Sequence, residues 1–325
     1  MAVTRAESTI GSVARTILGL ILITVGFGLT LATFLGFFGP MWWAFDVLSS
    51  FRFQYAVVLL LAGLVYGMAF GRVSSFIFIA AGLLNAALIL PLFIASPAEA
   101  SGSADLKIVS FNVQASNENR DTVMAWVGES GADIVFLLET SSDWDATLAS
   151  ADIPYVVMDE IPEDRVYGIT VLAREELETE VIRAGSTEDV VVRATASIGD
   201  DPVAVYAFHP RSPTSELDAQ YRDEVIEEVA ALVEAETIPA VVVGDLNATP
   251  WSYAFRKLAN EGQLVDSLRG NGYQASWPAS LWYGFKIPID HMLHTAELTT
   301  VTRGLGPDLG SDHAPLTVTV AVAAG

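Results

Sequence analysis

Eight polar residues stand where chemistry could be done: Asn112, Glu139, His209, Asp245, Asn247, Asp290, Asp312 and His313. Each lies at or just beyond one end of a short apolar run that reads as a buried strand. Strands that end on one edge of a layered sheet would bring these distant residues together. Two imidazoles, four carboxylates and two amides in one place suit a hard cation held by oxygen, with histidine as acid or base. The chain has no cysteine, which excludes disulfides, thiolate metal sites and cysteine nucleophiles. It also has no glycine-rich phosphate loop, which argues against a nucleotide-binding switch enzyme.

The elements that must position these residues alternate strand and helix. Strands are expected at 106–111, 133–138, 166–172, 190–198, 203–208, 240–243, 289–293 and 316–320, and a helix at 121–129. A second helix is expected at 214–236, where Leu217, Tyr221, Val225 and Leu232 recur at helical spacing. Its acidic side reads as a solvated face.

Charge divides the chain in two. Of 17 basic and 39 acidic residues, 13 and 36 fall in 104–325, so that part carries a net charge of −23. Residues 1–103 are nearly uncharged and read as a membrane anchor with three spans, at 16–38, 53–71 and 73–95. The first is expected to be a span rather than a cleaved leader. Only Arg72 separates the last two. Met41, Trp42, Trp43 and Phe45 follow the first span, where aromatic side chains favour an interface. Placing Arg5, Arg15 and Arg72 inside and Arg52 outside gives a multi-pass protein of the cell (inner) membrane, with its N-terminus cytoplasmic and its C-terminal domain outside. Residues 97–103, rich in Ala, Ser, Gly and Pro, read as a linker.

Six segments resemble the endonuclease/exonuclease/phosphatase (DNase I-like) superfamily. They are Ser110-Phe111-Asn112-Val113, Leu138-Glu139-Thr140, Phe208-His209-Pro210, Gly244-Asp245-Leu246-Asn247-Ala248-Thr249-Pro250, Pro288-Ile289-Asp290-His291 and Gly310-Ser311-Asp312-His313-Ala314-Pro315. They occur in the family's order over roughly 105–322. The resemblance implies an α+β fold, a four-layer α/β/β/α sandwich over 104–325, and a metal-dependent phosphoester hydrolase. Glu139 would be the main Mg²⁺ ligand, with Asn112 close by and Asp312 assisting; Mn²⁺ is the alternative ion. Asp245 would orient or deprotonate the attacking water, and Asn247 would donate to the phosphate oxygens. His313, held by Asp290, would contact the scissile phosphate, and His209 would act on the phosphate or the leaving group. Gln114 stands where some family nucleases carry a second metal-binding acid, so one metal is expected.

Neither His291 nor His294 matches a role, and both read as structural. Arg211, Arg222, Arg256 and Lys257 flank the motifs, and Arg211 is the cation expected to bind substrate. Trp277, Trp282 and Tyr283 lie between two motifs and read as core or rim or, with Trp251, as contacts to a lipid or another apolar substrate, Trp282 first among them. A domain of this acidity lacks the basic surface that nucleic acid requires. A short tether would hold the site near a bilayer at high effective concentration. The favoured substrate is therefore a phospholipid or isoprenoid phosphate. An extracytoplasmic nuclease comes second and an inactive anchored binding module third. The sequence points to no protein partner.

Overall fold

The computed structural model describes residues 2–71, 73–161 and 167–324, with no side chains before residue 12. Arg72, on which the hairpin and the charge count rest, and Val166, the first residue of one expected strand, lie outside the described residues. The chain forms two compact units, Met1–Leu90 and Pro91–Gly325.

The first unit is helical: α1 (Ala2–Leu35), a 3₁₀ stretch (Gly36–Met41), α2 (Trp43–Ser49), α3 (Arg52–Phe70) and α4 (Ser74–Ile89). Among the described residues, two helical stretches are long and apolar enough to cross a membrane, Ser12–Met41 and Arg52–Phe70. The third expected span falls on a shorter apolar helix. Its helix stops at Ile89 after 16 residues, short of the roughly 20 that a crossing needs. Leu90 then leads into Pro91, which opens a separate short helix, α5 (Pro91–Ile94), in the second unit.

Arg52 is not the loop cation that the charge count assumed. Its side chain is buried, at 1% exposure. Its guanidinium donates to the Thr33 carbonyl at 2.7 Å and to Asn85 Oδ1 at 3.2 Å, and lies 4.4 Å from the Phe37 ring centroid. Asn85 Nδ2 donates in turn to Thr33 Oγ1 at 2.9 Å. This network ties α1, α3 and α4 together. Gly63 lets α3 and α4 approach, since a Cβ there would lie 2.7 Å from Ile79.

The second unit contains β1 (Leu106–Asn112), α6 (Arg120–Glu129), β2 (Ile134–Leu138), α7 (Ser142–Ser150), β3 (Val156–Ile161), β4 (Ile169–Ala173), β5 (Glu178–Ala184) and β6 (Asp189–Ile198). It continues with β7 (Asp201–Phe208), α8 (Glu216–Glu234), β8 (Ala240–Asp245), α9 (Tyr253–Glu261), β9 (Val265–Asp266), β10 (Asp290–His294), β11 (Leu298–Leu305) and β12 (Leu316–Val322). The strands form two six-stranded sheets, ordered β11-β12-β1-β2-β4-β3 and β5-β6-β7-β8-β10-β9.

Period-two alternation lets one strand serve two cores. In β1, Leu106 and Ile108 face a core shared with Val192, Val205 and Val243 of the other sheet. Val109 and Phe111 face Val123, Val127 and Trp144 of α6 and α7. On the second sheet, Tyr206 and Val242 meet Val225 and Ile226 of α8 and Phe255 of α9. The layers are helices, sheet, sheet, helices, as the resemblance implied.

Part of the expected linker 97–103 is hydrogen-bonded within the second unit. Ser101 N–H donates to the Val322 carbonyl at 2.9 Å, and Thr299 Oγ1 to the Ala98 carbonyl at 2.6 Å. Gly272 N–H donates to the Leu92 carbonyl at 2.7 Å. The end of β12 and the outer edge of β11 supply partners that composition does not reveal.

Candidate active site

Two parallel strand pairs place the chemistry. β1 and β2 run parallel, with Asn112 opposite Leu138, and β7 and β8 run parallel, with Ala207 opposite Val243. Each pair is joined through a crossover helix, α6 or α8, as parallel neighbours require. All four strands therefore deliver their C-terminal residues to one edge: Asn112, Glu139, His209 and Asp245. The antiparallel strands arrive at the same edge by their N-terminal ends. Asp290 opens β10 opposite Asp245, and Ser110 pairs with Leu316, which puts Asp312 and His313 just before β12 beside Asn112.

The turns leaving the strands are tight. Glu139 and Asn247 have left-handed backbones, with φ of 61° and 48°, conformations that non-glycine residues hold only where surrounding structure enforces them. Gly244 has no substitute, because a Cβ there would lie 2.0 Å from the Phe208 carbonyl oxygen.

Seven predicted residues form one connected cluster. Asn112 Nδ2 donates to Glu139 Oε1 at 2.8 Å and Asp245 Oδ2 at 3.1 Å. His209 Nε2 lies 3.3 Å from Asp245 Oδ2 and 3.9 Å from Glu139 Oε1. His313 presents Nδ1 to Asp290 Oδ2 at 2.8 Å and Nε2 to Asp245 Oδ2 at 3.5 Å. Asn247 Nδ2 approaches His209 Nε2 at 3.2 Å, and its main-chain N–H donates to Asp245 Oδ1 at 3.0 Å. Asp312, the eighth, flanks the cluster, where its Oδ2 accepts the Trp277 indole N–H at 3.0 Å.

Burial and charge set the protonation states. Burial opposes charge on His313, but Asp290 and Asp245 overcome it and push the imidazole up to about 10. Burial likewise opposes charge on His209, and its hydrogen bond and attraction to Asp245 raise it above the ordinary histidine value. Burial works against ionised Asp245, yet the two imidazoles and the Asn247 N–H hold its carboxyl far below the usual range. Below about pH 10 the site thus sets a charged His313 beside an ionised Asp245.

The donor set fits a divalent cation. Asp245 and Asp290 present carboxylate oxygens within 4.8 Å of each other and of a His313 ring nitrogen, and such oxygens suit a hard ion, whereas His313, while charged, has no lone pair to give. Glu139 stands at the mouth, its side chain partly exposed. Two of the expected ligands also take part in hydrogen bonds. Asn112 keeps Oδ1 on the Gln114 N–H at 3.0 Å and turns its amide donor toward the carboxylates. Asp312 is capped by Trp277.

The predicted substrate contacts lie outside this cluster. Arg211 is wedged between two rings, 5.1 Å from Tyr167 and 5.2 Å from Tyr221, with Asp189 at 3.6 Å. Trp282 is 75% exposed, beside a 3₁₀ turn (Tyr283–Phe285). His291 is buried against Phe255 with Nε2 on the Ala248 carbonyl, and burial first, then Arg303, pushes it down to about 3. It stays neutral and structural.

Sequence reasoning missed three supports. Ser311 Oγ donates to the Asn112 carbonyl at 2.7 Å and accepts the His313 N–H at 3.0 Å. Its place beside Asp312 was the available signal. Ser276 Oγ accepts the Asp290 N–H at 3.3 Å. Tyr167 stands 5.8 Å from the His209 ring. Nothing in the local sequence marked either.

The family model of the Endonuclease/Exonuclease/phosphatase family matches residues 109–313. That is well over half of the chain, and the chain belongs to this family of hydrolases, which generally use a divalent metal. No curated protein matches it in sequence. Among solved structures, it is similar to a humanized D. rerio TDP2 at 18% identity and TM-score 0.55, over 68% of this chain and 100% of that one. It is similar to the 3′ phosphatase NExo from Neisseria, bound to a product DNA hairpin, at 19% identity and TM-score 0.55, over 66% and 98%. A conserved protein of unknown function from Enterococcus faecalis aligns at 13% identity and TM-score 0.56, over 67% and 100%. At these identities the likeness establishes the fold.

Proposed function

We propose that the protein hydrolyses a phosphoester of a membrane lipid or isoprenoid, outside the cytoplasm, with Mg²⁺ or Mn²⁺. The observation that carries the substrate class is an apolar rim beside the site. Leu281, Trp282 and Phe285 are exposed at 49%, 75% and 63%. Their segment is fastened to the catalytic edge where Ala279 N–H donates to the Asp312 carbonyl at 2.7 Å. Single exposed apolar side chains are ordinary, but three in five residues suit an acyl or prenyl chain. The segment 267–289 contains Arg269 and Lys286 and no acidic residue, unlike the rest of this acidic domain. Two N-terminal helices long enough to cross a membrane favour an anchored enzyme.

Asp245, kept ionised, orients the attacking water and draws its proton. His313, charged and aimed by Asp290, neutralises the phosphoryl oxygens as negative charge builds on them. Asn247 donates to the same oxygens, and His209 protonates the departing ester oxygen. Glu139 and Asp245 would hold the metal, which when bound acts as a Lewis acid on the phosphoryl group.

A nuclease is the second reading, favoured by neighbours whose structures contain DNA, such as D. rerio TDP2 complexed with a single-strand DNA product. The domain's net charge of −23 weighs against it. A screen of the purified protein with Mg²⁺, with and without chelator, decides between them. The substrates are plasmid DNA, RNA, bis-nitrophenyl phosphate, phospholipid vesicles and a polyprenyl phosphate. Cleavage of DNA alone would remove the lipid reading. Trp282→Ala should lower the rate on vesicles about tenfold and far more than on the soluble ester; equal losses would count against the rim.

A further inference from the structure

We infer that Arg303 is a positioning residue for the reaction, fixing Asp290 from behind so that its carboxylate meets His313 Nδ1. This rests on the reading of Asp290 and His313 as the catalytic pair.

Arg303 lies in β11, in the sheet that carries Asn112 and Glu139, whereas Asp290 opens β10 of the other sheet. Its side chain is buried and crosses from one sheet to the other. The guanidinium fork ends on three acceptors. NH2 donates to the Asp290 main-chain carbonyl at 3.2 Å, Nε to Ser267 Oγ at 3.2 Å, and NH1 to Gln274 Oε1. Gln274 Nε2 returns a hydrogen bond to the Arg303 carbonyl at 3.2 Å.

All three acceptors belong to 267–290, the segment that leads into the catalytic strand. That segment also carries Ser276, which receives the Asp290 N–H, and Trp277, which caps Asp312. One buried side chain therefore secures the whole strip at the point where it delivers Asp290. A planar fork with fixed donors suits this task, and a lysine point charge would meet only part of it. The Asp290–His313 contact of 2.8 Å joins residues from different strands, so a small shift of the β10 terminus would misalign it. Displacements near an ångström cost about 100-fold in rate.

The test compares Arg303→Met, Arg303→Lys and Gln274→Met in the full-length protein. One readout is the downfield proton resonance of the His313 Nδ1–H, assigned by its absence in His313→Gln. The others are kcat and KM on bis-nitrophenyl phosphate. Arg303→Met should move or broaden the resonance and lower kcat about 100-fold, with KM nearly constant. Arg303→Lys should recover part of both. An unmoved resonance with full kcat, or a loss confined to KM, overturns the assignment. If Arg303→Met does not fold, Gln274→Met decides, since it keeps the guanidinium but frees one arm. It should shift the resonance and lower kcat about threefold to tenfold, and no change in either overturns the proposal. If the wild type hydrolyses no phosphoester, the functional reading fails while the resonance still reports on Arg303.

Discussion

Two buried clusters of charged groups in the protein are used differently. In the helical unit, Arg52 meets a carbonyl and an amide, and Asn85 closes the set onto Thr33. Asn85 and Thr33 also bond one turn back within their own helices, at 2.8 Å each. A carbonyl and an amide are neutral partners. In the catalytic unit, two imidazoles converge on Asp245 and one on Asp290, and each state depends on its neighbours. Desolvation opposes charge in both places. The first arrangement locks helices together. The second holds charges that an incoming anion or cation can rebalance.

Mutations should separate these two roles. The largest effect is expected for Asp245→Asn. Removing the carboxylate that both histidines face should lower kcat by about 10³-fold while the protein still folds, as checked by steady-state kinetics and circular dichroism. A folded variant with near wild-type kcat would deny Asp245 its role. In the helical unit, Asn85→Leu should do the opposite. It leaves the Arg52 guanidinium short of an acceptor and should cost about 2 kcal/mol of stability, seen in thermal unfolding in detergent, with hydrolysis retained. Loss of activity at full stability would mean the network serves the chemistry.

A third effect is on pH dependence. His313 titrates near 10 in the folded protein, against an ordinary value of 6.5. A folded value raised above the unfolded one gives stability that is complete below about pH 6.5 and lost as pH rises through 10. Thermal unfolding of chelated protein should therefore soften between pH 7 and 10, and His313→Gln should flatten that slope. An unchanged slope in the variant would place the titrating group elsewhere.

Much of the site was legible because its motifs are local. Eight of the strands announced themselves by their apolar runs, and each candidate residue stood at a strand end, so Asn112, Glu139, His209, Asp245 and Asp290 could be named from the chain alone. The exposed edge strand β5 was not visible, because Glu178, Glu180 and Arg183 break its apolar pattern. The role of Arg52 was misread because a buried cation and a loop cation look alike in sequence.

By itself the sequence determined the division into an uncharged helical part and an acidic α+β part, the strand-end placement of the candidate groups, and the family. Hydrophobic periodicity and short motifs are properties of neighbouring residues, and the chain carries them directly. Only the tertiary structure decided that the third helix ends at Ile89, after 16 residues. It also decided that the stretch after it lies hydrogen-bonded along a sheet edge, and that Arg303, Ser276 and Ser311 stand behind the reactive pair. Those facts depend on which sheet edge meets which turn across a hundred or more residues, and no local pattern encodes that meeting.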